Sequence, residues 1–307
     1  MRAGHLTATL ITSMLIACQG AGGDDTSDSG TVVCDPSSHL DLGNAVRGAH
    51  SLVIARDGTL YFGQPQSIGR RLPDGTLDAE WVALPDPVLV VGLTLDASNE
   101  TLFAASRSTT GSTQPLLRID VATGTITSLG AGSLAAALTM GADGRVYYAT
   151  TGAVMRVDPM GGASTRVTID STTDFDSPQG LAFAPDGTLV VADHQPTASY
   201  LYRITLGASG LESSREQVPH LLSNLVGIAI DARGRLYVTT IYQPSTSGNA
   251  LFRIDADGGN QELLSDTLTA PSMDFGHGAL CSTDLFIADD VITRVPTDTP
   301  GAPVPWH

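Results

Sequence analysis

Histidine and aspartate are the residues of this chain best able to do acid–base or metal chemistry, and their spacing limits what they can do. Of the seven histidines, His5 falls in an N-terminal apolar run and His307 is terminal. His39, His50, His194, His220 and His277 have no second ligand at the short spacings that grip a transition metal. His50 stands just ahead of an alternating apolar segment, and Asp193-His194 close another, so these two histidines are the ones best placed to meet a ligand. Asp255, Asp257 and Gly258 resemble the opening of a calcium loop, but the glycine comes too early and no glutamate stands at the twelfth position. A hairpin turn accounts for them, as it does for Asp57-Gly58, Asp74-Gly75, Asp143-Gly144 and Asp186-Gly187. There is no Gly-x-Ser-x-Gly elbow, no zinc-protease His-Glu pair and no phosphate loop. All 16 bases are arginine, which excludes Schiff-base chemistry on a lysine.

The elements that must position these residues are repeated. Six related segments start at Ser51, Gly92, Ala137, Gly180, Gly227 and Ser272, spaced by 41, 45, 43, 47 and 45 residues. The clearest copies are GLAFAPDGTLVVAD from Gly180 and GIAIDARGRLYVTT from Gly227. Each is an alternating apolar segment, a Gly-containing turn and a β-branched or aromatic run, which is a hairpin. A third strand follows in most copies and carries Arg118, Arg156, Arg203, Arg253 or Arg294 at a matching place; a weaker outer strand such as Gln261 to Leu264 comes after. The period fits one four-stranded blade, and a single blade has too little core to stand alone, so the expected fold is all-β: a six-bladed β-propeller. The last copy runs short, so the N-terminal segment around Thr31 to Cys34 or Leu40 to Val46 is expected to complete or cross that blade.

The N-terminus reads as an export signal. Arg2 precedes an apolar stretch from Leu6 to Ile16, too short for a bilayer span, and Leu15-Ile16-Ala17-Cys18 resembles the lipobox of bacterial lipoproteins. The expected organisation is a signal peptide over 1–17, a lipidated flexible tether over 18–33 and the propeller over 34–307. The tether, QGAGGDDTSDSGTVV after Cys18, is too polar to order itself. With Cys18 lipidated, Cys34 and Cys281 remain as an even pair at the two ends of the exported domain, suited to a disulfide in an oxidising compartment. The implied location is the bacterial cell envelope, the membrane partner being engaged through lipid; Gln19 after the cysteine implies the outer membrane if the cell is Gram-negative. A formal charge of −16 without basic clusters excludes nucleic acid and electrostatic docking on anionic lipid.

The repeats resemble those of the regucalcin and gluconolactonase family of six-bladed propellers over nearly all of residues 40 to 298, mainly through PQGLAFAPDGTLVVAD at Pro178 to Asp193. Similarity to NHL-type and strictosidine-synthase-like propellers is weaker. The resemblance implies a divalent cation in the central channel, held by a glutamate of the first blade, an asparagine before the glycine of the fourth and an aspartate before the glycine of the fifth. In this sequence those positions are His50, Gln179 and Val226, and the polar substrate-contacting pair of the third blade becomes Ala135 and Ala136. Both anionic ligands are missing, so no metal and no other cofactor is expected.

First strands start and second strands end on one rim of a propeller, so His50, Gln179, Asp193, His194, Tyr242 and Asp289 are the candidate ligand-facing residues, with Arg107 and Asp290 on the same rim. The leading expectation is a tethered, non-catalytic binding or scaffold module whose partner is a small molecule, a glycan or an envelope protein. The alternatives are a lactonase- or esterase-type hydrolase with a rearranged site around His50, Gln179 and Asp193, and a structural envelope component.

Overall fold

The computed structural model describes residue 46 and residues 48–84, 88–108, 115–130, 136–169, 175–195, 199–243, 248–268, 270–289 and 291–303. These residues form six antiparallel sheets, each from consecutive strands in simple meander order. Blade one comprises β1 (Ser51–Ile54), β2 (Leu60–Gln64), β3 (Ser67–Arg71) and β4 (Leu77–Ala83). Blade two comprises β5 (Val88–Leu95), β6 (Thr101–Ser108), β7 (Leu117–Asp120) and β8 (Ile126–Ser128), and blade three β9 (Leu138–Met140), β10 (Val146–Thr150), β11 (Ala153–Val157) and β12 (Thr165–Arg166). Blade four holds β13 (Pro178–Phe183), β14 (Leu189–Asp193), β15 (Tyr200–Leu206) and β16 (Glu212–Val218). Blade five holds β17 (Leu225–Ile230), β18 (Leu236–Gln243), β19 (Gly248–Ile254) and β20 (Gln261–Ser265). The sixth sheet has three strands among the described residues, β21 (Ser272–Phe275), β22 (Asp284–Asp289) and β23 (Val291–Pro296).

Burial explains why the second strand of each repeat is an almost unbroken apolar run. β2, β10 and β14 are buried at every residue, because both faces of a blade pack against neighbours. The outer strands β4 and β16 are mostly exposed or half-buried, each keeping one buried valine, Val82 and Val218. The core is therefore six seams rather than one centre. Tyr61, Ile68 and Val82 of blade one meet Val90 and Leu102 of blade two, and an equivalent cluster fills each following seam. The ring closes where Leu52, Leu60 and Phe62 of blade one pack with Phe286, Ala288 and Ile292 of blade six. Val46 and Ala49 enter that same closing seam, which places the chain ahead of blade one against blade six. The remainder of Leu40 to Val46, and Thr31 to Cys34, lie outside the described residues.

Small residues open each repeat because the inner strands of neighbouring blades converge there. A Cβ on Gly227 would lie 2.5 Å from the Ala270 carbonyl oxygen, and one on Gly180 would lie 2.9 Å from an Ile228 methyl. The hairpin turns follow their sequence: Gly187 takes a φ of 82°, while the Asp186 carboxylate accepts the Thr188 N–H at 2.9 Å. Asp255 to Gly259 is a turn between β19 and β20, with the Gly258 N–H donating to the Asp255 carbonyl at 2.8 Å. Two of the third-strand arginines stitch seams. Arg156 reaches the Ser209 carbonyl of blade four at 2.6 Å, and Arg203 reaches the Ala256 carbonyl of blade five at 3.0 Å. Arg70, paired with Tyr61, is the blade-one equivalent that the sequence pattern hides.

Candidate functional site

Two of the three aligned ring positions, Gln179 and Val226, are structurally equivalent. β5, β13 and β17 each carry a β-bulge at the same place, between Val90 and Gly92, Pro178 and Gly180, and Leu225 and Gly227. A bulge leaves one residue unpaired and re-aims its side chain. The bulged residues are Val91, Gln179 and Val226, each just before a glycine; His50, Ala136 and Pro271 precede the first repeat residue in the other three blades. His50, Gln179 and Val226 are half-buried, whereas Val91 and Ala136 are buried. Ala135 lies outside the described residues. This ring presents one imidazole, one amide and four apolar side chains. Among the described residues no group of three or more His, Cys, Asp or Glu is arranged to hold a metal ion. A hard divalent cation wants six to eight oxygens, several of them anionic, and the ring does not fit it.

A second ring lies where the second strands end. Gln64, Ser106, Thr150, Asp193, Thr240 and Asp289 occupy equivalent places in the six blades, and all but the half-buried Asp289 are buried. Asp193 shows what such a residue does. Its carboxylate accepts the Ser177 N–H at 2.9 Å, the Asp176 N–H at 3.3 Å and the Gln195 side-chain amide at 3.0 Å, pinning the loop that leads into β13. Burial raises its pKa above the ordinary carboxylate value, against the opposing pull of those N–H donors.

Of the candidate residues, Gln179, Asp193 and His194 come together around Ser177 in blade four. The Gln179 amide donates to the Ser177 hydroxyl at 2.7 Å, and the His194 N–H donates to the Ser177 carbonyl at 3.0 Å. His194 Nδ1 is buried without a hydrogen-bond partner among the described residues. His50 belongs to blade one, on the opposite side of the ring; its N–H donates to the Gly63 carbonyl at 3.0 Å. Tyr242 lies near the end of β18 and Asp289 ends β22, in blades five and six, and exposed Arg107 lies near the end of β6. Asp290 lies outside the described residues. Ser177 was not singled out in the sequence, where a serine before a proline carries no signal.

The channel contains a cavity of about 180 Å³ that begins at the level of Val91 and Pro271 and extends to the opposite, turn-bearing rim at Arg56 and His277. None of His50, Gln179, Asp193, His194, Tyr242 and Asp289 lines it. On its blade-six wall, side chains hold the first and last blades together. The Ser272 hydroxyl accepts the Leu52 N–H at 3.0 Å, and Asp274 accepts the Ile54 N–H at 2.8 Å. The tail after β23 returns to blade five at this rim, where the Ala232 N–H donates to the Pro300 carbonyl at 2.9 Å and the Ala302 N–H to the Ile230 carbonyl at 2.8 Å.

No protein-family model and no curated protein matches the sequence. Solved structures do match the fold. A gluconolactonase of Xanthomonas campestris is 18% identical over 83% of this chain and 87% of its own, with a TM-score of 0.59. The calcium-binding protein regucalcin from Agrobacterium tumefaciens is 20% identical over 82% and 91%, with the same score. A chain of the nidogen/laminin complex is 16% identical over 80% and 94%, with a TM-score of 0.62. At these identities the likeness is one of fold: the chain is a six-bladed β-propeller of the kind seen in gluconolactonase and regucalcin, built here without their sequence.

Proposed function

We propose that this chain is a lipid-anchored, extracytoplasmic propeller that binds a small molecule, glycan or envelope protein and carries a degenerate lactonase-type site. One observation carries the reading: the equivalent bulged positions that would hold a cation in the resembled family are filled by an amide and a valine, with His50 at the third. The anionic groups that offset the dehydration of calcium are absent from those positions. Calorimetry on the unmodified protein is expected to show no micromolar calcium binding, and lactone hydrolysis is expected to be absent with or without calcium. Micromolar binding lost in Gln179→Ala would defeat the proposal.

The second reading, a hydrolase with a site rearranged around His50, Gln179 and Asp193, draws on the fold shared with a gluconolactonase. Against it stand the three N–H donors on Asp193, which hold that carboxylate to its loop. A lactonase activity abolished by His50→Ala would favour this reading.

The anchor and the clasp rest on the sequence. Cys18 and Cys34 lie outside the described residues, and Cys281 sits half-buried in the connection between β21 and β22. A bridge from Cys34 to Cys281 would close a loop of nearly the whole propeller, worth roughly 5 kcal/mol in the chain-entropy model. Mass spectrometry of a non-reduced digest of the native protein is expected to find lipid on Cys18 and a linked Cys34–Cys281 peptide pair. An unmodified Cys18 rules out the anchor, and two free thiols rule out the bridge.

A further inference from the structure

The channel cavity stands apart from the candidate rim and has its own chemistry. Its walls are the inner strands, and at strand level they are small or apolar apart from a few polar groups. Two carboxylates line it. Asp96, near the mouth, is committed to its own turn, accepting the Ser98 hydroxyl at 2.9 Å and the Glu100 and Thr101 N–H groups at 3.0 Å. Asp274 is different. It belongs to β21, inside the channel, and each of its oxygens accepts one backbone N–H: Oδ2 from Ile54 at 2.8 Å and Oδ1 from Phe275 at 2.9 Å. An ionised carboxylate offers about four acceptor sites, so roughly two remain on Asp274. Thr94 and Thr139 occupy the equivalent position in blades two and three and also line the cavity, as do Val53, Ala182 and Ala229 in the other blades.

The Asp274 carboxylate stands among Val53, Ala182 and Ala229 at its level of the channel, with the His277 imidazole acting on it from the turn-bearing rim, and it is costly to keep ionised unless a cation or donor meets it. The cavity therefore offers acceptors at one level and aliphatic surface beside them. The formal charge of −16 raises the local concentration of cations at the surface. At about 180 Å³ the space is smaller than the roughly 300 Å³ at which drug-sized pockets begin, so the occupant has only a few heavy atoms. We propose that the central channel is a binding site for a small aliphatic amine in its ammonium form, with the nitrogen on Asp274 and the alkyl chain against Val53, Ala182 and Ala229. The ammonium group has three N–H donors and no acceptor, which suits the acceptor sites that remain on the Asp274 carboxylate. The site is independent of the rim reading above.

The test is calorimetric titration of the full-length protein with n-butylammonium at pH 8, with n-butanol as the uncharged probe of the same shape. Saturable binding of the ammonium, at least tenfold tighter than that of the alcohol, is expected. Asp274→Asn keeps an acceptor for the Ile54 N–H and is expected to lose at least tenfold in affinity. Ala182→Val narrows the cavity at the alkyl wall without touching the stitch to blade one and is expected to lose at least about threefold. Absence of saturable binding, equal binding of butanol, or unchanged affinity in Asp274→Asn overturns the site. If Asp274→Asn fails to fold, unchanged affinity in Ala182→Val overturns it.

Discussion

Arg235→Ala is expected to lower stability by about 3–5 kcal/mol, because it leaves a buried carboxylate without its cation. Asp231, at the end of β17, is fully buried. Its Oδ1 accepts the Arg233 and Arg235 N–H groups at 2.9 and 3.0 Å, and its Oδ2 accepts Arg235 Nε at 2.7 Å. Removing the guanidinium strips Oδ2 of that partner; Tyr237 Oη, at 3.5 Å, is too distant to replace it. The same arginine holds the returning tail. It pairs with the Asp298 carboxylate and donates to the Thr299 hydroxyl at 2.6 Å, while Arg253 reaches Asp298 at 3.1 Å. The Arg235 guanidinium pulls the Asp298 pKa down to about 2. A depressed folded-state value means that this contribution is complete above the ordinary carboxylate range and is lost as pH falls through about 2, so the clasp is intact at neutral pH. With roughly 2–4 °C per kcal/mol for a domain of this size, the melting temperature is expected to fall by on the order of 10 °C. Amides between Thr297 and Ala302 are expected to exchange faster. The double change Asp231→Leu with Arg235→Met removes both charges and is expected to cost less than Arg235→Ala alone. A melting temperature within about 2 °C of the unmodified protein in Arg235→Ala would show that the pair carries little.

The repeat was legible because the physics that builds a blade writes itself locally. Asp186-Gly187 needs a turn, Leu189 to Asp193 needs burial on both faces, and neither depends on what lies across the channel. The matched arginines were legible for the same reason in five blades. Arg70 escaped because Arg71 follows it and the flanking residues Gly69 and Leu72 do not repeat the pattern. The ring at His50, Gln179 and Val226 could be aligned because each stands just before the small residue, Ser51, Gly180 or Gly227, that opens its repeat. What could not be read is what depends on the assembled ring. Asp274 looks like one more acid near a turn until β21 is set against β1, 220 residues away in sequence, and its carboxylate meets Ile54. Asp193 was singled out as a ligand-facing residue; its role in pinning Asp176 and Ser177 emerges only from the loop that folds back onto it. The return of Pro300 to Ala302 onto blade five likewise has no local signal, since an irregular proline-rich tail does not specify its partner.

The triple change His50→Glu, Gln179→Asn and Val226→Asp is expected to create a calcium site where the unmodified ring has none. Calcium is held by carboxylate and carbonyl oxygens, and the change supplies two carboxylates and a shorter amide in place of an imidazole, a longer amide and a methyl-bearing side chain. The three positions are half-buried, so the new charges keep some contact with water and their desolvation cost stays well below that of a fully enclosed ion. Two acids facing one channel repel, and without metal the variant is expected to melt below the unmodified protein. Calcium should reverse that loss. A roughly hundredfold gain in affinity corresponds to about 2.7 kcal/mol, and calcium at about a hundred times its dissociation constant returns the same amount as folding stability. The readout is therefore a melting temperature that rises with calcium in the triple variant, falls again with a chelator and does not move in the unmodified protein. Val226→Asp alone, which adds one carboxylate at the bulge, should give a smaller rise of the same sign. If the triple variant folds and shows no calcium-dependent rise, the three positions do not converge on a common point in the channel, and the degenerate-site reading falls with them.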